Sequence, residues 1–385
     1  MKTALQTHTI YHTLPPSQHG GFLMSVKKTG KVWSFRIDAR IDDRTSKRKQ
    51  VYRSGFKTKH EAIAEMNRLK AEIMTGEYSE PSKTLFKDYI QSWLYDTHKH
   101  EVQLSSFEVG ETIVRVHLIP YFQSIPLSKI TAYDIDQLYT QKLNEGLANA
   151  TVKKIHNLLS KALQKAVKWG LIKNNPAKDA SPPSIHKTPK QIWTLEEAKT
   201  FLEVCGQENE LIPFLLAIFT GMRRGEILAL KWKNVDLDKG VIHVEESLTR
   251  TKAKGLFVKE VKTSHSRRDV YLSASVQEAL VRYRDKQTPN KLGLVIASKA
   301  GGYLEPRNLI RKFKALAKKA NVPDIPFHNL RHTHATILMR MGENPKVVSE
   351  RLGHARVGIT LDIYSHTNEE MQKNTANRFD DRFWT

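Results

Sequence analysis

A short segment of the chain joins a glycine, two arginines and a glutamate directly after an apolar stretch. Gly221 allows the chain to turn, and Arg223 and Glu226 lie three positions apart, so on a helix the carboxylate can hold the guanidinium in place. A guanidinium fixed in this way can bind two phosphate oxygens at once. Because exposed Arg–Glu pairs are common and contribute little to stability, this segment alone does not decide a function.

A second segment places an imidazole beside a guanidinium. His328 and Arg331 are three positions apart and therefore share a helix face. His328 and His332 also have the spacing of a zinc site, but the zinc-protease pattern requires a glutamate after the first histidine, and this chain has Asn329 there. Since the pattern supplies no third ligand, we predict no metal site.

A third segment contains Gly353 and His354 and, ten residues after the histidine, Tyr364. The chain has 12 tyrosines, and a tyrosine on an amphipathic helix usually packs into a core, so Tyr364 by itself indicates little. Taken together, the three segments give the order Arg, His-x-x-Arg, Gly-His and Tyr over about 140 residues. Two arginines can receive the charge that a phosphodiester gains when it is attacked, and a tyrosine can attack it.

The composition points to the same kind of substrate. The 385 residues include 62 Lys and Arg against 40 Asp and Glu, and a formal net charge of +22 indicates attraction to a polyanion such as nucleic acid. Cys205 is the only cysteine, which excludes a disulfide scaffold. The longest apolar stretch, 211–219, is far shorter than the roughly 20 residues of a membrane span, and no signal segment opens the chain. We therefore expect a soluble, cytoplasmic protein of several domains whose partner is nucleic acid and not a membrane.

The elements that must position these residues indicate a multidomain α+β fold. Alternating residues over 33–40 and a second run over 51–56 predict two strands of a small N-terminal β-sheet, separated by a turn. Thr58 and Glu61 form the capping box of a helix that follows the sheet.

The middle of the chain is predicted to be an all-α domain, and the last part a mixed, mainly α domain with a small antiparallel sheet. The middle domain has helical patterns over 85–97, 107–118, 132–145 and 150–169. The last domain begins with a helix capped by Thr194 and Glu197 and has strands near 241–245, 256–261 and 269–272. The predicted division is a flexible leader (1–23), a basic sheet domain (24–80), a helical domain (81–178), a proline-rich linker (179–193) and the last domain with a C-terminal tail (194–385).

Two stretches carry much of the excess positive charge. Residues 27–59 hold twelve basic and three acidic residues, and residues 151–190 hold nine lysines and one acid. Such an imbalance favours contact with a nucleic-acid backbone over a merely solvated face. The predicted DNA-binding residues are Lys27, Lys28, Arg36, Arg40, Lys47, Arg48 and Lys49 in the first stretch and Lys153, Lys154, Lys161 and Lys165 in the second.

The ordered combination of Arg, His-x-x-Arg, Gly-His and Tyr resembles the tyrosine recombinase (phage integrase) family over residues 190–370. The basic sheet and the Lys-rich helices are similar to the arm-binding and core-binding domains of integrases from Gram-positive temperate phages and conjugative transposons. The chain departs from the family at Asn329, where an aspartate is often found, and the Thr-Gly-x-Arg spacing favours Arg223 over Arg224 as the first catalytic arginine. The resemblance implies the catalytic set Arg223, Lys262 (the lysine of a mobile β-hairpin), His328, Arg331, His354 and Tyr364 (the nucleophile), with Glu226 supporting the first arginine.

The resemblance also implies a function. A site-specific recombinase of this family would cut and rejoin DNA through a 3′-phosphotyrosine, integrating and excising a mobile element as a homotetramer on core and arm attachment sites. An excisionase or a host DNA-bending protein is a candidate further partner. Since the sequence has neither a phosphate-binding glycine loop nor an acidic metal cluster, we expect no cofactor.

Two other functions remain open at this point. A type IB topoisomerase-like DNA-relaxing enzyme would use a similar catalytic set, although relaxation needs no separate basic N-terminal sheet. A DNA-binding regulator without catalysis is the other, although every catalytic position of the family is filled. The tail after Tyr364 has apolar residues that the resemblance places on a neighbouring subunit; folding back on its own domain is the alternative.

Overall fold

The computed structural model describes residues 24–41, 48–75, 83–185, 191–261, 266–364 and 368–384. The predicted leader, 1–23, lies outside this part of the chain. The chain divides into two compact units, Met1–Ile185 and His186–Thr385. None of the helices in the described ranges has the length and apolar character that crossing a membrane requires.

The first unit opens with an antiparallel sheet of three strands in the order β1-β2-β3, covered on one face by a helix. These elements are β1 (Met24–Thr29), β2 (Val32–Ile41), β3 (Arg48–Phe56) and α1 (Lys59–Met74). Phe35, Ile37 and Val51 form one small core with Ala62 and Leu69 of the helix. The predicted strands and the capping box of Thr58 and Glu61 are confirmed.

The sheet is larger than predicted. Strand β1 was missed because its packed face carries little beyond Val26, which pairs with Phe35. Strand β3 begins at Arg48 rather than at residue 51, because ladder pairing continues through polar and basic residues such as Lys49 and Gln50. Backbone hydrogen bonds extend both strands past the apolar residues that reveal them in the sequence.

A helical bundle fills the rest of the first unit. Its helices are α2 (Phe86–Ser92), α3 (Lys99–Glu101), α4 (Leu104–Ile113), α5 (Ile119–Phe122), α6 (Ala132–Asn144) and α7 (Asn149–Lys168), with π-helical turns at Trp93–His98 and Val114–Leu118. Trp93, Leu118 and Leu159 lie in its core. All four predicted helical segments are confirmed, and Gly146 and Gly170, both at positive φ, follow the last two helices as predicted.

The second unit is mainly helical with two small antiparallel sheets, ordered β4-β5-β8 and β6-β7. Its strands are β4 (Val235–Asp236), β5 (Val241–Val244), β6 (Glu246–Thr251), β7 (Gly255–Glu260) and β8 (Arg268–Tyr271). Its helices are α8 (Leu195–Gln207), α9 (Leu211–Thr220), α10 (Arg224–Ala229), α11 (Ala274–Lys286), α12 (Pro306–Lys319), α13 (Asn329–Arg340), α14 (Pro345–Leu352), α15 (Val357–Tyr364) and α16 (Asn368–Phe383).

Packed aromatic rings hold the second unit together. Trp193, Phe201, Phe214 and Phe313 contact one another, with ring centroids 4.8 to 6.0 Å apart. Trp193, which the sequence places at the end of the linker, is buried here and donates from Nε1 to the carbonyl of Pro323 at 2.8 Å. The three predicted strands correspond to β5, β7 and β8. Two strands were missed: β4, which has only two residues, and β6, whose alternation is nearly all polar.

Candidate active site

The junction of α9 and α10 places the first arginine. Gly221 ends α9 at φ +63°, and a Cβ at this position would lie 2.5 Å from Leu352 Cδ2 and 2.7 Å from His334 Cδ2, so only glycine fits. Arg223 precedes α10, and its backbone N–H and its Nη1 donate to the two carboxylate oxygens of Glu226 at 2.9 and 2.8 Å. The predicted Arg223–Glu226 contact is therefore present.

The second arginine is deeply buried. Arg331 lies in the first turn of α13, is only 3% exposed, and donates from Nη1 to the carbonyl of Gly221 at 2.7 Å and from Nη2 to that of Leu352. Burial lowers the pKa of Arg331 to about 9, and the nearby charge of Arg223 acts in the same direction. The guanidinium stays charged at neutral pH and would gain from a nearby anion.

Three arginines meet at the C-terminal end of α14. Arg268, Arg331 and Arg223 donate, in that order, to the carbonyl oxygens of residues 351–353, and the first and last of these bonds measure 2.7 and 3.0 Å. The last carbonyls of a helix lack partners within the helix and carry partial negative charge, so they attract cations. This turn thus fixes the directions of three guanidinium groups.

Arg268 is the member of this group that the sequence analysis missed. Its Nη2 lies 2.9 Å from Glu226 Oε2, and the two side chains are 6% and 2% exposed. The signal that could have found it is the alternation of β8, in which Arg268 and the fully buried Val270 share a face. The adjacent Arg267 is 71% exposed and pairs instead with Glu245.

Glu226 lies between two arginines and is ionised. Burial alone would raise its pKa, but the charges of Arg268 and Arg223, with their hydrogen bonds, outweigh burial and hold the pKa below its usual value. A buried carboxylate paired with two guanidinium groups keeps both of them in one orientation.

His354 follows the same turn. Its Nδ1 is 2.9 Å from the hydroxyl of Thr360, which is fully buried on α15. Burial, together with the charges of Arg331 and Arg223, lowers the pKa of His354 to about 3, so the imidazole is neutral at physiological pH. A neutral imidazole can still donate one hydrogen bond to a phosphate.

The remaining predicted catalytic residues are located less completely. His328 is the residue before α13, and its ring meets that of His332 edge-on with centroids 5.0 Å apart. Tyr364 is the last residue of α15, the helix that follows His354. Lys262 lies outside the described residues, between β7 and β8. Within the described ranges, no three His, Cys, Asp or Glu side chains are grouped to hold a metal ion.

Asn329 has a structural contact of its own. Its Nδ2 donates to the carbonyl of Gln191 at 2.7 Å, which joins the start of α13 to the segment just before α8. An aspartate at this position would offer no donor to that carbonyl.

The predicted DNA-binding residues of the sheet lie on different surfaces. Lys27 and Arg36 pair with Ser34 and Ser25, so both lie on the sheet face away from α1, whereas Lys28 pairs with Trp33 on the packed side. The others are Arg40 on β2, Arg48 and Lys49 on β3, and Lys47, which lies outside the described residues.

The four predicted lysines of the helical bundle all lie on α7. Lys161 Nζ is 3.0 Å from a carboxylate oxygen of Glu101, and Lys165 Nζ is 3.9 Å from the other oxygen. Lys153 and Lys154 lie two turns nearer the start of the helix. The sequence did not indicate the partner of Lys161 and Lys165, because Glu101 lies about 60 residues upstream.

Sequence profiles of known families match along most of the described chain. The phage integrase family matches residues 191–371, which include Arg223, Arg331, His354 and Tyr364. An arm DNA-binding domain matches residues 24–73, and the N-terminal SAM-like domain of phage integrases matches residues 85–144. The chain belongs to the phage integrase family of tyrosine recombinases.

Two bacterial relatives are similar to this recombinase over most of its length. It is 29% identical over 309 residues to the ICEBs1 integrase of Bacillus subtilis, covering 77% of this chain and 82% of the relative. It is 27% identical over 386 residues to a XerC-like tyrosine recombinase of Caldanaerobacter subterraneus, covering 92% of this chain and 98% of the relative. Both alignments extend well beyond the catalytic unit.

Solved structures show the same fold. The Tn1549 transposon integrase in complex with a circular intermediate DNA superposes with a TM-score of 0.68 at 21% identity, covering 77% of this chain and 99% of that one. A lambda integrase dimer bound to a core site superposes with a TM-score of 0.59 at 18% identity, covering 93% and 98% of the two chains.

The family and the fold decide the enzyme class. The chain is a tyrosine-type, site-specific recombinase that acts on DNA at attachment sites, and the predicted α+β fold with its three parts is confirmed. The arm DNA-binding domain disfavours the topoisomerase alternative, since DNA relaxation does not require binding to a second class of DNA site. The match over the catalytic region, together with the arginines assembled there, disfavours a regulator without catalysis.

The buried His334 and the partly buried His354 predict how the stability of the recombinase depends on pH. Burial and nearby arginines lower the pKa of both His334 and His354 to about 3. An unfolded histidine titrates near 6.5, so between these values the unfolded chain binds more protons and the free energy of unfolding falls as the pH falls. We expect a loss of about 1.4 kcal/mol per pH unit for each histidine well inside this window.

Urea unfolding followed by circular dichroism between pH 7.5 and 5 measures this dependence. The variant His354→Asn should have a shallower slope than the wild type, and the exposed control His60→Asn should not. Equal slopes for the wild type and His354→Asn would show that His354 does not contribute.

Proposed function

We propose that this recombinase integrates and excises a mobile element, and that Arg223, Arg331 and His354 bind the scissile phosphate while Tyr364 attacks it. The observation that carries the proposal is the meeting of two guanidinium groups at the turn of residues 351–353, directly before the histidine and the helix that ends in the tyrosine. Arg223 is 36% exposed, whereas Arg331 is buried. Arg223 can therefore reach the DNA from the surface, while Arg331 lies fixed beneath it.

The two arginines suit the charge changes of phosphoryl transfer. The nonbridging oxygens gain negative charge as the phosphorus becomes five-coordinate, and donors aimed at them beforehand lower the barrier without reorganising. Burial and the charge of Arg223 lower the pKa of Arg331, which means that its charged form is destabilised. A bound anion would stabilise that charged form. If Thr360 donates to His354 Nδ1, the tautomer leaves Nε2–H as a third donor to the phosphate.

The covalent step needs a proton acceptor and a proton donor. The Oη of Tyr364 forms a bond to phosphorus while the bond from phosphorus to the 5′ oxygen breaks, giving a 3′-phosphotyrosine and a free 5′ hydroxyl. A tyrosine hydroxyl has a pKa of about 10 and needs a base, for which His328 is our candidate. Lys262 is our candidate for protonating the 5′ oxygen. Attack by the 5′ hydroxyl of another strand reverses the step, and no external energy is required.

Replacement of the nucleophile tests this assignment. Tyr364→Phe should bind attachment-site DNA as the wild type does in a gel shift, because only one hydroxyl is lost. It should form no covalent adduct on a nicked suicide substrate, whereas the control Tyr271→Phe, at an exposed position of β8, should form it normally. An adduct trapped on Tyr364→Phe would assign the nucleophile elsewhere.

We further propose that the chain reads two classes of DNA site, with 24–80 as an arm-binding domain and 81–178 as a core-binding domain. The open face of the N-terminal sheet presents Lys27 and Arg36 with Tyr52, which pairs with Arg36, and such a basic face with an aromatic residue suits a DNA backbone. An excisionase or a host DNA-bending protein would act by bringing the two classes of site together. The reaction then belongs in the cytoplasm, where the DNA of a bacterial host lies.

Deletion of residues 1–80 tests the two-site proposal. The shortened chain should still cleave isolated core sites, because the catalytic groups lie in the second unit, but it should lose binding to arm-type sites and integrate poorly. The double variant Lys27→Ala, Arg36→Ala should reproduce the loss of arm binding, and Lys59→Ala, on α1, should not. Full integration by the deleted chain would contradict the proposal.

We also propose that the tail joins the chain to a second copy in a tetramer on DNA. Helix α16 exposes Phe379 and Phe383, and Trp384 follows them, each at least 65% exposed, with neighbouring rings in contact. The second unit also has an apolar cleft of about 350 Å³ between α8, α9 and α13, where Phe219 and Met341 are exposed. Exposed aromatic rings and an exposed apolar cleft on one chain suit docking of the tail into the cleft of a neighbour.

Truncation after Asn368 tests this assembly. Binding to one core site should persist, whereas cooperative binding to two sites and recombination should fall. Met341→Glu, in the cleft, should resemble the truncation, and Val281→Glu, on α11, should not. Loss of single-site binding, or of a soluble folded monomer, would instead indicate that the tail packs on its own domain.

A further inference from the structure

We propose that Arg268 is a positioning residue of strand cleavage, which holds Glu226 and the turn of residues 351–353 so that Arg223 and Arg331 face one phosphate. The inference rests on the proposed function, since it concerns the geometry of the same site. Sequence motifs did not point to Arg268; its contacts in the folded chain do.

All three guanidinium nitrogens of Arg268 donate to other groups of the protein. Nε donates to the carbonyl of Arg351 at 2.7 Å, and Nη2 donates to Glu226 Oε2 at 2.9 Å. Nη1 donates to the carbonyl of Ser266 at 3.2 Å and lies 3.4 Å from Glu226 Oε1. Because the side chain is only 6% exposed, Arg268 is placed to act through the groups it holds rather than by contacting DNA.

Through Glu226, Arg268 fixes the first catalytic arginine. Glu226 Oε1 accepts from Arg223 Nη1 and Oε2 accepts from the backbone N–H of Arg223, while Arg268 contacts the same carboxylate from β8. Because Arg268 also holds it, the carboxylate of Glu226 cannot follow a rotation of the Arg223 side chain. The pair Arg223–Glu226 therefore has the orientation that Arg268 imposes on it.

Through the carbonyl of residue 351, Arg268 also fixes the turn that orients Arg331. The tie is reciprocal: Arg268 of β8 donates to the backbone of Arg351, and Arg351 Nη2 donates back to the carbonyl of Tyr271, at the end of β8, at 3.0 Å. Strand β8 and helix α14 are thus joined by two bonds that run in opposite directions. Lysine could not reproduce this arrangement, because it lacks the planar fork.

The alternative is that Arg268 and Glu226 form a buried ion pair that only stabilises the fold. The pH dependence of cleavage distinguishes this structural role from the positioning role. The charged groups facing Glu226 are Arg223 and Arg268, with Arg331 nearby. If Arg268 is removed, burial is opposed by less positive charge and the pKa of Glu226 rises. Protonation of Glu226 in mild acid would then release Arg223 and slow cleavage.

The experiment compares Arg268→Met, Arg268→Lys and the control Arg267→Met in the full-length chain. The rate of covalent adduct formation on a core-site suicide substrate is measured in single turnover at pH 8.0, 7.0 and 6.0, alongside core-site binding and circular dichroism. For Arg268→Met we expect unchanged binding and cleavage slower by about 10²-fold, the size of effect that a misplacement of about 1 Å produces. The slowing should deepen as the pH falls.

Arg268→Lys keeps the charge and separates geometry from electrostatics. We expect cleavage slower than that of the wild type but with the pH profile of the wild type, because Glu226 stays ionised. Arg267→Met should match the wild type throughout. If Arg268→Met does not fold, slow cleavage by a folded Arg268→Lys supports the proposal, and wild-type cleavage by it overturns the proposal.

The controls also separate this inference from the function on which it rests. If the wild type forms no adduct on any core-site substrate, the proposed function fails. If the wild type forms the adduct and Arg268→Met forms it at the same rate and with the same pH profile, only the positioning role is overturned.

Discussion

The C-terminal end of α14 is the constraint on which the rest of the site depends. Its last carbonyl groups, at residues 351–353, would be unsatisfied in a buried helix end, and Arg331 would be an uncompensated buried charge. The carbonyl groups and the arginines satisfy one another, since Arg268, Arg331 and Arg223 donate to these three carbonyls. The backbone thereby aims the guanidinium groups before any phosphate arrives, as electrostatic preorganisation requires.

The same arrangement keeps the site short of negative charge. In the described part of the chain, one buried carboxylate, Glu226, binds Arg223 and Arg268 and lies near Arg331. The excess positive charge contributes to the lowered pKa values of Arg331 and His354. Carbonyl dipoles orient the arginines without neutralising them as further carboxylates would. In the proposed function, a phosphodiester bound at this site would relieve the repulsion among Arg223, Arg268 and Arg331.

How much of this could be predicted from the sequence follows from the distance along the chain between interacting groups. The contact of Arg223 with Glu226 spans one helical turn, and it was predicted, as were the helix caps. The contacts of Arg268 with Glu226 and with residue 351 span 42 and 83 positions, and only the folded chain brings them together. The missed strands β1 and β6 have a similar cause, because backbone pairing with a neighbour defines them more than their own apolar residues do.

Arg351 contacts both the proposed catalytic site and the apolar cleft in which we propose that the tail of a second copy docks. Its carbonyl accepts from Arg268, whereas its side chain bonds the carbonyls of Phe219 and Tyr271 and lies on the wall of the apolar cleft. Its Nε also donates to His334, which lines the same cleft and packs beneath Gly221. A group that fills the cleft would contact Arg351, whose backbone carbonyl orients the guanidinium of Arg268. If Arg351 has two arrangements, it could by itself couple docking of the tail to DNA cleavage, without a long chain of contacts.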